Sequence, residues 1–339
     1  MRAVTLSSLL VACLAAGPIH AGEENTPMTQ RATGSFEVTI DPMHQEMLDA
    51  SRCRMWPRCA VSRRGAVLWI EGRWRGIHWG AWVVPSCIVA GNTASTGIGG
   101  AIISTAAGEI VDLVDTWITA NSSEGATVHV PRLVLTRSTV SDNVSTAYAP
   151  AIAIYGSSVL VNSTVSGHTT PAFTGGVLIM GEETTIASCT LAGNDGSELH
   201  IGDNATVEMS NTLIAGNCSG MVAPGSIGGN LESPGATCGL DPGDDLDGVA
   251  DPGLSALGFH GGVAPVFLPL AGSAAVDAAV AGYNCNLFDQ RELSRPRDGD
   301  GDGTAGCDIG AVELAGPGEL FTETFECGFL TPGSEHVAQ

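Results

Sequence analysis

A six-residue phrase recurs through the middle of the chain and limits the possible fold more than any other feature. It is "CIVAGN" ending at Asn92, "TWITAN" at Asn121, "STVSDN" at Asn143, "STVSGH" at His168, "CTLAGN" at Asn194 and "TLIAGN" at Asn217. The steps between these marks are 29, 22, 25, 26 and 23 residues. First and third positions such as Ser138 and Val140, or Cys189 and Leu191, are small or apolar, whereas the second varies among Trp117, Thr139, Thr164, Thr190 and Leu213. In a strand, that alternation turns positions one and three inward and position two toward solvent. A second apolar phrase lies between the marks, as in "GGAIIS", "PAIAIYG" and "GGVLIMG". No helical period links the two.

Short β-branched strands, separated by Gly, Ser and Asn turns and repeating at these steps, predict an all-β fold, a parallel β-helix solenoid. One coil cannot bury its apolar face alone and must stack on the next. The terminal asparagines Asn92, Asn121, Asn143, Asn194 and Asn217 then form a ladder, each amide donating to one neighbouring coil and accepting from the other. His168 interrupts that row and is expected to be a polar turn residue rather than a catalytic one. A leucine-rich repeat would need a Leu-x-Leu strand and an apolar residue soon after the asparagine. Here Val-Ser-Thr follows Asn143, Asp-Gly-Ser follows Asn194, and leucine is sparse.

The net charge is −22, and all 14 basic residues are arginines. Such a surface offers phosphates no cationic face, which excludes nucleic acid and anionic membranes as partners. The opening "MRAVTLSSLLVACLAAGPIHA" has one arginine, a short apolar run and small residues before a cut after Ala21, the pattern of an export signal. "LVAC" within it would allow a lipoprotein tether at Cys13. No later run is apolar and long enough for a transmembrane span. Outside the cell, disulfides are expected among the nine cysteines that remain, and chain proximity favours Cys218 with Cys238 and Cys285 with Cys307. Cys53 could pair with Cys59, which leaves Cys327 over. Cys87 and Cys189 both hold the inward first position. Four coils apart, or roughly 19 Å, they are beyond disulfide reach and are expected to be core thiols.

After the last phrase come "DPGL" at 251–254, "GSAAVDAA" at 272–279, "DQRELSRP" at 289–296, "DGDGDG" at 298–303 and "CDIGAVE" at 307–313. Their order resembles the C-terminal part of choice-of-anchor Q proteins, which are exported bacterial right-handed β-helix proteins. The resemblance implies a right-handed solenoid at the bacterial surface, at the outer membrane or outside the cell, and no particular reaction. The family's Cys-Ser-Leu-Arg-Glu-Ala phrase is missing, and the tail "ELFTETFECGFLTPGSEHVAQ" has neither an apolar anchor nor a basic stop. The expected organisation is a signal at 1–21, an atypical segment or cap at 22–85, coils at 86–235, a closing module at 236–316 and a tail at 317–339.

Two stretches invite a binding function. Within 52–82 lie five of the six tryptophans and seven of the fourteen arginines. The surrounding segment, residues 41–84, could be a glycan-binding patch, a cap, or the product of a shifted reading frame. Asp298, Asp300 and Asp302 alternate with glycines like the first half of a calcium loop, with Asp308 the nearest carboxylate where a bidentate glutamate belongs. Calcium is the only cofactor this pattern suggests; an acidic turn pinned by Cys285–Cys307 is the plainer reading.

Catalysis finds little support. A uronate lyase needs a base beside a carboxylate-neutralising cation, and on the coils only Arg132 and Arg137 qualify, near His129 and Asp142. A glycosidase needs two opposed carboxylates, whereas Asp115, Asp142 and Asp195 merely adjoin turns. The expectation is a non-catalytic exported β-helix for adhesion or contact with glycans and cell-surface components, its flat Ser/Thr-rich faces suited to extended polymers. The alternative is a polysaccharide lyase or glycoside hydrolase on the same fold.

Overall fold

The computed structural model describes residues 59–62, 68–69, 81–85 and 87–316, less 95–98, 105–107, 148, 172–173, 281–284 and 286. The expected signal, Cys13, Cys53, Cys327 and the tail lie outside these residues. The described chain is all-β, and every strand pairs in parallel. It is a parallel β-helix with three faces. The recurring phrase supplies the first: Cys87–Ala90, Trp117–Thr119, Thr139–Ser141, Thr164–Ser166, the starts of Thr190–Ile201 and Leu213–Gly220, and Leu231–Ser233. The second apolar phrase supplies the next, through Gly99–Ile103, Ala126–Val130, Ile152–Ile154 and Thr174–Ile179. Ala81–Pro85, Ile110–Val114, Arg132–Thr136, Ser158–Val161, Glu182–Ala187, Ala205–Ser210 and Gly225–Gly228 complete the third.

Register explains the core. Val89, Ile118, Val140, Val165, Leu191 and Ile214 align coil on coil. They face the row Ile102, Val128, Ile152, Val177 and Leu199 and the row Leu113, Leu135, Leu160, Ile186 and Met209. All of these are buried in one cluster. Each coil thus buries its apolar side chains only through its neighbours.

The corners are polar and repeat just as regularly. The residue before each asparagine position takes a left-handed conformation: Gly91, Ala120, Asp142, Gly167 and Gly193 have φ of 70°, 52°, 53°, 65° and 72°. That turn aims the next side chain into the stack. Asn121 Oδ1 accepts from Asn92 N and Nδ2 at 3.0 and 2.7 Å, and Asn143 Oδ1 accepts from Asn121 N and Nδ2 at 3.0 and 2.9 Å. His168 continues the row through its backbone N–H, which donates to Asn194 Oδ1 at 3.0 Å. Its ring is buried, and desolvation holds its pKa down at about 4, so it is neutral.

The row then departs from expectation. Asn217 is exposed. The strand Thr190–Ile201 shifts register between Ala192 and Ser197, and Glu198 from the same coil fills the place beneath Asn194. Its carboxylate accepts from Asn194 N at 3.1 Å and from Asn194 Nδ2. A glycine at 216 makes room, because a Cβ there would lie 2.5 Å from Glu198 Cγ.

A second corner has its own ladder, at the first phrase position. Ser138 Oγ accepts from Thr116 N at 3.0 Å, Ser163 Oγ from Ser138 N at 3.2 Å, Thr212 Oγ1 from Cys189 N at 3.4 Å and Asn230 Oδ1 from Thr212 N at 3.0 Å. Cys189 is a free buried thiol in this row. Two disulfides form, Cys218–Cys238 and Cys285–Cys307, with Cα atoms 4.8 and 5.9 Å apart.

Two boundaries and one face need correction. The solenoid begins before residue 86: Cys59–Ser62, Leu68–Trp69 and Ala81–Pro85, inside the segment that looked foreign, pair with Cys87–Ala90, Gly99–Ile103 and Ile110–Val114. At the other end, the module after Ser233 starts as a continuation of the stack, with Leu246 bridging Leu231. It then lies along the outer side of the first face, so the second phrase positions do not meet solvent. Thr139 Oγ1 donates to Pro265 O at 2.8 Å and accepts from Gln290 Nε2 at 2.7 Å. Thr164 Oγ1 donates to Gln290 Oε1 at 2.6 Å, and Thr190 Oγ1 accepts from Ala311 N at 3.0 Å. Further along, Leu213 and Leu231 pack with Ala275 and Ile309 in a second apolar cluster. Alternation alone cannot separate water from a covering module, because a short hydroxyl side chain suits both.

The module's core joins a small apolar cluster of Val266, Ala311 and Val312 to buried ion pairs. Arg291 pairs with Asp289 at 2.8 Å and Arg295 with Glu313 at 3.0 Å, all four side chains essentially buried. Arg295 also donates to Asp308 O and Gly310 O at 2.7 Å each. Glu313 accepts from Arg297 N and Asp308 N, while Asp289 accepts from Glu313 N. Desolvation raises the pKa of Asp308 to about 6 and of Glu313 to about 7, and that of Glu198 in the coil stack to about 7.

Val140→Asp and Thr139→Asp should both cost several kcal/mol, because each buries a charge, and the single Gln290 Nε2 donor at position 139 does not offset its desolvation. Val159→Thr on an open part of the third face should stay within about 0.5 kcal/mol. Denaturant melts of the three variants test the assignment, and a wild-type-like Thr139→Asp would mean that the module does not cover the first face. The raised carboxyls also set a pH trend. Between about pH 4.5 and 7 the native chain holds protons on Asp308, Glu313 and Glu198 that the unfolded chain releases, so stability falls as pH rises through that window. His168 and His129, lowered by burial, act oppositely but are outnumbered by the raised carboxyls. Unfolding free energy should be greater at about pH 5 than at about pH 8, and Glu198→Gln should flatten the slope.

Candidate functional site

Four successive coils turn from the second face to the third at one corner, and there they frame a groove of about 600 Å³. Ser104 and Gly108 come from one coil, His129, Pro131 and Arg132 from the next, then Tyr155, Gly156 and Ser157, with Glu182 from the last. Position in the strands explains the arrangement. His129 points outward between the inward Val128 and Val130, and its register partner is the small Ala153. Tyr155 follows Ile154, the last residue of its strand. Its ring leans on His129 with centroids 4.8 Å apart and planes at 47°. The phenol stays 46% exposed, a large aromatic surface facing the groove rather than the core.

Polar groups surround it. Glu182 Oε2 accepts from Ser157 N at 3.0 Å and Ser157 Oγ at 2.7 Å, and these bonds, with Arg132 nearby, hold the carboxyl below its ordinary pKa. Arg132 Nε donates to Ser157 O at 3.3 Å. Among the described residues, the Arg132 Nη groups and Glu182 Oε1 have no hydrogen-bond partner, which leaves a donor and an acceptor turned to one space. Ser104 Oγ donates to Glu109 Oε2 at 2.6 Å. Partial burial lowers the pKa of His129, so its ring is neutral at pH 7, and raises that of Tyr155.

The other candidates are tied up. Arg137 makes a two-pronged pair with Asp115, both distances 2.8 Å, and reaches Glu292 at 3.5 Å. Asp195 accepts from Thr170 N at 3.1 Å. Asp142 serves a left-handed corner. No opposed pair of carboxylates arises from these three turns.

The acidic loop is assembled differently from the expected calcium site. Asp298 and Asp300 do converge, but their third partner is Asp277, whose oxygen lies with theirs inside 4.8 Å. Asp302 is outside that group and caps Thr304 N at 2.7 Å. Asp308 is buried elsewhere, accepting from Asp277 N at 2.8 Å and from Leu314 N, so it is a fold residue and no ligand. Backbone N–H groups already meet the cluster: Gly301 and Gly303 donate to Asp298, and Asp300 and Gly306 to Asp277. The loop therefore closes on itself, and its remaining lone pairs are what a hard cation could use.

No family model, curated protein or solved structure matches this chain. The fold and the groove therefore carry the functional argument. Sequence reasoning had placed His129 and Arg132 near each other but missed Tyr155, Ser157 and Glu182. The available signal was an aromatic residue in a Gly/Ser turn. Asp277 was also missed, as nothing in "GSAAVDAA" marks a residue that folds back on a loop 21 positions away.

Calcium at about 10 mM, set against EDTA, tests the loop. With an affinity near 1 mM, mass action predicts a gain of about 1.4 kcal/mol, absent from an Asp298→Asn/Asp300→Asn variant. Identical unfolding curves would leave these carboxylates as acceptors for the loop backbone alone.

Proposed function

We propose that this chain is an exported β-helix protein of the choice-of-anchor Q type, and that it contacts glycans at the bacterial surface through the groove around Tyr155. The exposed Tyr155 ring beside an open donor and an open acceptor is the observation that carries this reading. An aromatic face packs on the C–H side of a sugar ring while charged forks bind its hydroxyls, and concave sites with a few convergent polar groups are the usual form of such recognition. Export is supported by the N-terminal signal pattern and by the two disulfides, which persist in oxidising compartments. The family assignment is supported by the role of its motif residues, since Asp289, Gln290, Arg291, Arg295 and Glu313 build the clasp on the first face.

One observation favours a catalytic second reading: His129, a neutral base, lines the groove with its ring against Tyr155. Unsaturated products or new reducing ends on incubation with polysaccharides would establish it.

Affinity electrophoresis of the full chain through gels containing different polysaccharides tests the binding reading. At least one polymer should retard the wild type. Tyr155→Ala should remove about tenfold or more of that affinity without shifting the melting temperature, while Tyr155→Phe should keep it. Equal retardation of all three would place binding elsewhere.

A further inference from the structure

The groove is drawn out along the solenoid axis. We propose that it holds a run of consecutive residues of a linear glycan laid along that axis, with Met180 and Gly202 forming its floor beyond Tyr155; the inference rests on the glycan-binding reading above. Four coils line the groove and none contributes more than three residues, so a ligand that meets all of them must cross coils. With coils about 4.8 Å apart, three steps cover roughly 14 Å.

The floor continues past the groove. Val130, Ile154, Ile179 and Ile201 align coil on coil, and Gly220 follows. The next residue of each coil therefore falls in one line at the corner: Pro131, Tyr155, Met180, Gly202 and Met221. Backbone bonds hold that line, since Met180 N donates to Ile154 O at 2.9 Å, Gly202 N to Ile179 O at 2.8 Å and Met221 N to Ile201 O at 3.1 Å. Water at an outward corner favours Ser, Thr or Asn, yet Tyr155, Met180 and Met221 are 46, 43 and 80% exposed, an apolar row of the kind that marks a contact surface. Gly202 is buried because Met180 leans over it: a Cβ there would lie 3.2 Å from Met180 Sδ. The thioether thus points along the axis and carries the apolar floor on by one more coil. Unbranched and polarizable, it adapts to an irregular apolar surface.

Polar rims flank the line on both sides. Toward the third face lie Arg132, Ser157 and Glu182, linked from coil to coil by Arg132 Nε donating to Ser157 O and Ser157 Oγ donating to Glu182 Oε2. Toward the second face, His129, Ala153, Leu178, His200 and Ser219 are register partners, and His200 Nδ1 and Ser219 Oγ share a hydrogen bond of 2.9 Å. His200 precedes Gly202 by two positions as His129 precedes Pro131, so an imidazole beside the floor comes back three coils further on. An apolar floor between polar rims, repeated in one direction, fits a chain whose rings each offer an apolar C–H side and hydroxyl edges.

Calorimetric titration of the full chain with dimers, tetramers and hexamers of gluco-, manno- and galacturono-configured sugars tests this. In a series that binds, the hexamer should bind at least about tenfold tighter than the dimer, the gain expected from covering roughly 60 Å² more of apolar surface. Met180→Ser should remove most of that gain and Met180→Leu should keep it, with the melting temperature unchanged in both. Tyr155→Ala should weaken binding at every length. Tyr155-dependent binding that is equal for dimer and hexamer, or a hexamer gain that survives Met180→Ser, would overturn the axial run and leave the glycan groove standing. If no oligomer's binding responds to Tyr155→Ala, both readings fall.

Discussion

Everything in this fold depends on how the backbone is satisfied where the coil turns. Along a face each N–H finds a carbonyl one coil away, but at each corner one N–H, such as that of Asn121 or Thr116, points into the stack with no carbonyl to meet. A buried N–H without a partner is scarcely tolerated. Asn121 and Asn143 solve this with one carbonyl oxygen each, which takes both the backbone and the side-chain N–H of the coil before. Ser138, Ser163 and Thr212 solve it at the other corner with a hydroxyl. To aim these side chains, non-glycine residues such as Asp115, Arg137, Asn162, Ser188 and Asn211 accept φ values between 46° and 50°. A left-handed residue costs on the order of 1–2 kcal/mol, and the bonds that follow it offset that cost only if the next coil is present. The stack is thus held by mutual dependence of neighbours.

The C-terminal clasp uses the same logic in the other direction. The first face carries small hydroxyls on its outer side, and the clasp meets them with Gln290, whose amide bonds Thr139 and Thr164 on adjacent coils and the carbonyl of Ser138. Gly310 permits the approach, since with φ of 107° a Cβ there would lie 2.9 Å from Thr190 Oγ1. Because buried ion pairs lose much of their attraction to desolvation, the Arg291–Asp289 and Arg295–Glu313 pairs are best understood as fixing the shape of a segment that has no strands of its own. The functional consequence is direct. The Ser/Thr face is occupied, which leaves the proposed glycan contact to the corner between the second and third faces, around Tyr155.

The fold was legible because a repeat is written in each coil: phrase, turn, asparagine. Both disulfides were legible from chain proximity. What could not be seen was anything joining distant parts of the chain. Thr139 looks outward by alternation, and only Pro265 and Gln290, more than 120 positions away, bury it. Asn217 looks like a sixth ladder residue, and only the register shift in the preceding strand shows that Glu198 has taken its place. Tyr155 is one residue in one turn, and a groove made by four coils leaves no local pattern. The acidic loop misled for the converse reason, as its spacing matches a calcium loop while its bonds go to its own backbone and to Asp277.

Amide hydrogen exchange, followed residue by residue in the intact protein, tests the central claim that side-chain ladders satisfy the corners. The N–H groups of Asn92, Asn121, Thr116 and Ser138 sit in turns, where exchange is ordinarily fast. The account predicts that they exchange as slowly as the strand amides of Val140 and Leu191, while the amide of Asp203, in an exposed turn, exchanges orders of magnitude faster. Corner amides exchanging at loop rates beside protected strands would contradict it.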